Sequence, residues 1–319
     1  MNQWNHQARK ALKGAKQSND FFDIQVFEDK NFPIKIPLEY AQLIDKTNPN
    51  DPLLRQVLPQ NKKNSSSYSA EPLSDEDNSP VGGLIHKYKN RVLLIASQVC
   101  AIHCQYCFRQ NFNYAQHDAL SNWPQIERYI NDDTNINEVI LSGGDPLSLS
   151  DDKLAKLVRL IETIKHIDTL RIHTRSAVVM PSRITSELAK LLNSSRLKVI
   201  MVFHVNHAQE LSDDFVQQIK QLKNLTLLNQ AVLLKGVNDK VACLKSLSLA
   251  LIKLNILPYY LHMLDKVSGA EDYFVEDEIA LSLHQQLQTE LSGYLVPKLV
   301  RDSNQKSKTW LSAIQKQKL

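Results

Sequence analysis

The stretch HKYKNRVLLIASQVCAIHCQYCFRQNF, residues 86–112, joins an apolar run to a cysteine-rich loop. Val92 to Ala96 is unbroken apolar sequence, the pattern of a buried strand. Cys100, Cys104 and Cys107 follow in the spacing C-x3-C-x2-C, with Tyr106 just before the last. Thiolates so spaced can converge on one small inorganic centre from a tight loop. Three of them can hold three irons of a [4Fe–4S] cube, whose ligands are usually four thiolates. The fourth iron then keeps an open position for a substrate or cofactor. The loop lies just past a strand's C-terminal end, where barrels of β/α units place their chemistry.

Other readings compete. A zinc site usually wants four ligands, and the loop supplies three. His103 could be a fourth, at the cost of straining the loop. A disulfide framework is poor, because three close cysteines cannot all pair and no secretory context is visible.

Working outward, apolar runs at Val92–Ala96, Glu138–Leu141, Leu170–Thr174, Lys198–Val205, Leu225–Leu234 and Leu257–Leu264 predict strands. Between them, Asp152–Ile164, Asp213–Leu222, Val241–Leu254 and Glu276–Leu291 show helical spacing. Leu154, Leu157, Val158, Ile161 and Ile164 fall on one face. Strand–helix alternation implies an α/β fold, with parallel strands and helical crossovers. Six such units are fewer than the eight of a closed barrel. The pattern alone leaves a doubly wound sheet open.

Residues 1–80 read as a mainly helical N-terminal extension and a mobile linker, 81–300 as the strand–helix body and 301–319 as a C-terminal segment. Asn5 to Lys16 suggests one short helix, with Trp4 and Leu12 as packing points. Asn61 to Pro80 is polar and nearly devoid of apolar residues, the composition of a solvated linker, and no role is assigned to it. The net charge is +4 and the 38 basic residues are dispersed, so nucleic-acid binding is not implied. No apolar run reaches the length of a membrane span. The N-terminus lacks an apolar signal core. Sparse, unpaired cysteines suit a reducing cytosol, so a cytoplasmic protein is expected.

Gly143 and Gly144 stand in LSGGDPLSLSDDKL, residues 141–154, between a strand and a helix, in a chain with only 8 glycines. Paired glycines let backbone approach a ligand closely, and the following helix offers free N–H groups to an anion. A tight turn explains them equally well. His204 and Gln230 fall near the ends of the fourth and fifth strands, where a satisfied strand-end polar group is the plain reading. Lys308 sits in RDSNQKSKTW. A lysine amine can form a Schiff base with a cofactor aldehyde, though a tail lysine is ordinarily just solvated.

The cysteine loop resembles that of the radical S-adenosylmethionine enzymes. More narrowly, HKYKNRVLLI with CAIHCQYCFRQNF resembles the lysine 2,3-aminomutase branch. The likeness continues through LSGGDPLSLSD, RIHTRSAVVMPSRIT, HVNHAQELSDD, NQAVLLKGVND, LPYYLHMLDKVSGAEDY and GYLVPKLVRD. It is greatest to the shorter bacterial subgroup that makes β-lysine for modifying elongation factor P.

This resemblance implies a partial (β/α)6 barrel of the radical S-adenosylmethionine type. It implies an isomerase converting L-α-lysine to (R)-β-lysine, with a general metabolic lysine 2,3-aminomutase as the alternative. The implied cofactors are a [4Fe–4S] cluster on Cys100, Cys104 and Cys107, S-adenosyl-L-methionine, and pyridoxal 5′-phosphate. Tyr106, Gly143, Gly144, Asp145, His204 and Gln230 match positions that contact S-adenosylmethionine. Asp145 stands where many relatives carry Glu. Tyr88 and Arg91 match positions holding the pyridoxal ring and phosphate, and Lys308 the Schiff-base lysine, with Lys306 as the fallback register. Arg109 matches the arginine that pairs with the substrate carboxylate. Asp265 and Asp302 match acids that receive the distant ammonium of lysine. Implied partners are a lysine ligase of the elongation factor P pathway and a reductant such as flavodoxin or ferredoxin. GVND is followed here by Lys240, and Cys243 is the one spare thiol, so no structural zinc is expected.

Overall fold

The computed structural model describes residues 3–26, 32–59, 68–69, 72–112, 114, 117–302 and 309–311. The chain opens with α1 (Gln3–Arg9), β1 (Leu12–Lys13), α2 (Gly14–Phe22), β2 (Lys35–Ile36), α3 (Leu38–Ala41) and α4 (Pro52–Val57). The single helix expected from Asn5 to Lys16 is therefore two. Gly14 turns between them at a φ of 76°, and Leu12 pairs antiparallel with Ile36. Trp4 and Leu12 are buried, as packing points should be. Asp51 starts α4, its carboxylate accepting from the N–H groups of Leu53 and Leu54 at 2.8 and 2.9 Å.

The body begins with the hairpin β3 (Leu84–Tyr88) and β4 (Arg91–Ser97). It continues α5 (Trp123–Asp132), β5 (Glu138–Gly143), α6 (Asp151–Glu162), β6 (Thr169–Thr174), α7 (Ser176–Val179), α8 (Ser186–Asn193) and β7 (Lys198–Phe203). Then come α9 (Asp213–Ile219), β8 (Thr226–Val232), α10 (Val241–Lys253), β9 (Leu257–His262), α11 (Asp277–Glu290), β10 (Lys298–Arg301) and β11 (Thr309–Trp310). All of β3 to β11 lie in one sheet in sequence order. Strands β4 to β10 run parallel, while β3 and β11 pair antiparallel at the two edges. The six strands expected from the sequence are β4 to β9. Strand β10 adds a seventh parallel strand, too short to stand out as an apolar run.

The sheet curls. Tyr260 on β9 lies within electrostatic reach of Arg91 on β4 and Arg171 on β6. Tyr88 on β3 likewise feels Asp302, just past β10. Strands far apart in sheet order thus face one another across a common interior. That is a partial barrel, and it removes the doubly wound alternative.

Strand β6 shows how the wall is made. Leu170, Ile172 and Thr174 are buried, with the two apolar side chains in the core beneath the helices, while Arg171 and His173 line the interior. Leu154, Leu157, Val158 and Ile161 of α6 pack into the same outer core, with Val139 and Leu141 of β5. No helix among the described residues is long and apolar enough to cross a membrane.

Candidate active site

The cysteine loop leaves β4 and is held from outside by the N-terminal extension. Lys35 Nζ donates to the carbonyl of Cys100 at 2.6 Å, and the His103 N–H donates to the Lys35 carbonyl at 3.0 Å. The His103 ring bonds through Nδ1 to the Pro33 carbonyl at 2.7 Å and stacks on Phe32. His103 therefore faces the extension, which disposes of it as a fourth zinc ligand. The Gln105 N–H donates to the Gln56 carbonyl at 3.0 Å. The proline-punctuated segment 32–57, anchored by Ile34, Ile36, Leu53 and Val57 in a buried core, thus forms a backbone template for the loop.

On the inner side the loop meets the glycine pair. The Gly144 and Asp145 N–H groups donate to the carbonyls of Ser97 and Val99 at 2.8 and 2.9 Å. A Cβ on Gly143 would lie 2.6 Å from the Ser97 oxygen, and one on Gly144 2.6 Å from the Val99 oxygen. Gly143 also has a φ of 114°. Two backbones touch here, so only glycine fits.

The Asp145 carboxylate is fully engaged. It accepts from Leu147 N (2.9 Å), Thr174 Oγ1 (2.9 and 3.1 Å), Arg175 N (2.7 Å) and Ser176 N (2.8 Å). It ties the end of β5 to the end of β6. Burial pushes its carboxyl up, against the pull of these donors.

Cys100, Cys104 and Cys107 are free thiols, each within electrostatic reach of another. Burial pushes all three upward, Cys107 to about 11 and Cys100 well above the usual thiol range. Buried thiols of this kind ionise when a cationic centre supplies the balancing charge. Among the described residues, no three His, Cys, Asp or Glu groups converge on a point suited to one metal ion. The ligands of a cube bind three different irons and need no such point. The residues fit a [4Fe–4S] cluster better than a single zinc.

One cavity of about 290 Å³ fills the barrel interior. Its wall includes every site residue expected from the sequence except Lys308: the three cysteines, Tyr88, Arg91, Tyr106, Arg109, Gly143, Gly144, Asp145, His204, Gln230, Asp265 and Asp302. Lys308 and its fallback Lys306 lie outside the described residues. Arg109, buried, donates through Nε to Asp75 at 2.9 Å and through Nη1 to Ser142 Oγ at 3.2 Å. Lys87 reaches the same Asp75 carboxylate at 2.9 Å. Burial alone would raise Asp75, but Arg109 and Lys87 hold it below the usual carboxylate range. Arg91 lies over the Tyr88 ring, 3.7 Å from its centre, and Arg171 pairs with Glu138. His262 Nδ1 is 3.6 Å from Asp302. Burial, then Arg175 and His262, drive His204 well below the ordinary imidazole range, so it is neutral. Its Nε2 lies 3.2 Å from the Tyr106 hydroxyl.

Sequence reasoning missed Asp75, Lys87, Arg171, Arg175, Tyr260 and His262. Arg171, in RIHTR, was discoverable as a charge in an otherwise apolar strand run. Asp75 carries no such signal, because it lies in the stretch read as linker. That stretch gives way at Tyr68 to chain docked on the barrel mouth. Ser69 N donates to the Lys266 carbonyl and Ser268 N to the Ser69 carbonyl, at 2.9 and 3.0 Å. Cys243, the spare thiol, which as a small apolar residue would ordinarily be buried, is half-exposed on α10.

Residues 90–222 match the model of a 4Fe-4S single cluster domain. A radical SAM methyltransferase from Sphaerobacter thermophilus superposes with a TM-score of 0.49 at 16% identity, over 68% of each chain. An L-lysine 2,3-aminomutase from Buchnera aphidicola is 45% identical over 88% of this chain and 83% of its own length. The L-lysine 2,3-aminomutase of Escherichia coli is 43% identical over 86% of this chain and 81% of its own. With a three-cysteine loop at the mouth of a partial barrel and identity of this extent, the chain belongs to the L-lysine 2,3-aminomutase family of radical S-adenosylmethionine isomerases.

Proposed function

We propose that the protein converts L-α-lysine to (R)-β-lysine, using pyridoxal 5′-phosphate beside the cluster and S-adenosylmethionine, and that the product serves modification of elongation factor P in the cytosol. The observation that carries the reading is the charge pattern of the cavity. Cations at Lys87, Arg91, Arg109 and Arg171 share one wall with acids at Asp265 and Asp302. A substrate with one carboxylate, one remote ammonium and a phosphorylated carrier requires that set. A substrate with a second carboxylate at its far end would need a cation where the acids stand.

When bound, the cluster and S-adenosylmethionine supply a carbon radical that removes and returns one hydrogen, and pyridoxal phosphate supplies a carrier for the migrating nitrogen. The protein's part is placement. Cys100, Cys104 and Cys107 hold the cluster. With Asp145 spent on its four donors, the backbone of the Gly143–Gly144 turn is left to face the methionine end of S-adenosylmethionine. Neutral His204, with Gln230 and Tyr106, faces its adenosine end. Arg91 and Arg171 take a phosphate, and the Tyr88 ring, already bearing Arg91, lies against the pyridine. Arg109, steadied by Asp75 and Ser142, takes the substrate carboxylate through its remaining donors. Asp265 and Asp302 take the ammonium, with His262 orienting Asp302. Lys308 is the cofactor lysine. Its neighbour Thr309 pairs with Arg301, which brings the returning chain back beside Asp302.

The narrower pathway rests on the resemblance to the shorter bacterial subgroup. A lysine ligase would use the product, and flavodoxin or ferredoxin would reduce the cluster.

The test is anaerobic reconstitution with iron and sulfide, followed by pyridoxal phosphate, S-adenosylmethionine, dithionite and labelled L-lysine, with chiral mass spectrometry of the products. (R)-β-lysine is expected. An intact cluster that cleaves S-adenosylmethionine and yields no β-lysine would discard free lysine as the substrate.

A further inference from the structure

Behind the cysteine loop lies a buried polar network centred on Arg175, the residue after β6. Its Nη1 donates to the Tyr106 hydroxyl, its Nη2 to Gln56 Oε1 at 2.9 Å, and the same Nη2 is 3.2 Å from Glu210 Oε2. Asn206 Nδ2 donates to the Tyr106 hydroxyl and to Gln56 Oε1, at 2.7 and 2.9 Å. Glu210 faces the other way: its Oε1 accepts from the N–H groups of Asn206 and His207 at 2.9 and 3.0 Å. Arg175 is 6% exposed and Glu210 0%.

A buried ion pair is commonly no more stabilising than apolar residues of the same volume, so stability does not account for it. Its orientation does more. The guanidinium end points at the cysteine loop and the carboxylate end away from it. Arg175 lines the same cavity as Cys100, Cys104 and Cys107, and the Tyr106 hydroxyl to which it donates belongs to the residue just before Cys107. Two other cations are near the loop. Lys35 is half-exposed, and water screens it. Arg109 is shared with Asp75. Arg175 Nε has no hydrogen-bond partner among the described residues, so the guanidinium is not fully spent on its network.

We infer that Arg175, held against the cysteine loop by its hydrogen bond to Tyr106, raises the reduction potential of the cluster on Cys100, Cys104 and Cys107, and that Glu210 moderates the effect. One-electron reduction adds a negative charge to the cluster. A fixed buried cation beside the centre favours the reduced state, and local charge and outer hydrogen bonds are recognised means of tuning such centres. Arg175 is a positioning and tuning residue, and its role rests on the reading of the cysteines as cluster ligands.

The experiment is an anaerobic potentiometric titration of the reconstituted full chain, followed by electron paramagnetic resonance of the reduced cluster. Arg175→Gln should lower the midpoint enough to cut the reduced-to-oxidised ratio at least tenfold at the wild-type midpoint, which is 59 mV for one electron. Glu210→Gln should move it upward. Tyr106→Phe should move it down by less, and Arg175→Lys should stay nearest to wild type. Packing damage alone has no reason to give opposite signs for the two charge removals. Shifts of one sign in both Arg175→Gln and Glu210→Gln, or no shift in either, overturn the inference. If Arg175→Gln does not fold, Glu210→Gln and Tyr106→Phe still decide it by their opposed signs. A wild-type protein with no cluster signal overturns the cluster reading as well. A wild-type cluster that forms β-lysine, beside unmoved variants, overturns the tuning alone.

Discussion

Around the cysteine loop, the contacts that fix geometry go to backbone atoms: Cys100, Val99 and Ser97 carbonyls, and the N–H groups of His103, Gln105, Gly144 and Asp145. Across the cavity, from Tyr88 to Asp302, they join side chains instead. Arg91 stacks on Tyr88, Arg171 pairs with Glu138, Asp75 bridges Lys87 and Arg109, and His262 approaches Asp302. The first region can be damaged by adding one methyl group. The second is damaged by removing one charge. Under the proposed function, cluster binding would need three sulfurs at set spacing, which a rigid backbone supplies, and recognition of carboxylate, phosphate and ammonium would need charges, which side chains supply.

The largest effect should come from the backbone side. Gly144→Ala puts a Cβ 2.6 Å from the Val99 oxygen, so the loop must move. Iron content should fall, and activity should drop by about a hundredfold, the usual consequence of misplacing reacting groups by an ångström. Iron analysis and turnover check this. Normal values for both would show that the two backbones do not depend on this close approach.

Asp75→Asn should be milder and pH-dependent. It leaves two buried cations without their carboxylate, a loss of about 3 kcal/mol by analogy with broken buried pairs. The folded-state carboxyl of Asp75 lies below its unfolded value, near 3.9. The stabilisation is therefore complete above about pH 4 and disappears as pH falls through the depressed folded value. Thermal melting of wild type and variant should differ at pH 7 and converge in acid. A gap that stays constant with pH would mean that Asp75 contributes shape and not charge. Lysine KM should rise more than kcat falls, because Arg109 loses its support and not its place in the chain.

Gly293→Ala is the smallest change and the control for the first. A Cβ there meets nothing within 4 Å. Stability should move by less than about 0.5 kcal/mol, with activity unaltered.

The same contrast explains what could be read from the chain. Strands β4 to β8 were legible as runs of buried apolar residues with period-two or unbroken pattern, and β9 as an apolar and aromatic run of which only Leu261 is buried. Strand β10, Lys298–Arg301, has two buried apolar residues between two charged ones and gives no such signal. The cysteines were legible by spacing, and the cavity residues by resemblance. Asp75 was not, since its partners lie 12 and 34 positions further on and no local period reveals them. The two glycines were read as room for a ligand or a tight turn. The structure shows a third reason, the backbone of the cysteine loop itself. Asp145 looked like a ligand-facing acid because its four donors come from residues 147 and 174–176, brought near only by the fold.

Under the proposed reading of the cysteines, the template that Pro33, Lys35 and Gln56 lend to the loop would make residues 32–57 a reporter of the cluster. Anything that binds the ordered loop strengthens the docking of the segment that orders it, by the same free energy in both directions. Oxygen that destroys the cluster therefore also loosens the amino-terminal segment. The chain would announce a spent catalytic centre at its own beginning, as protease-accessible sequence, with no separate sensor required.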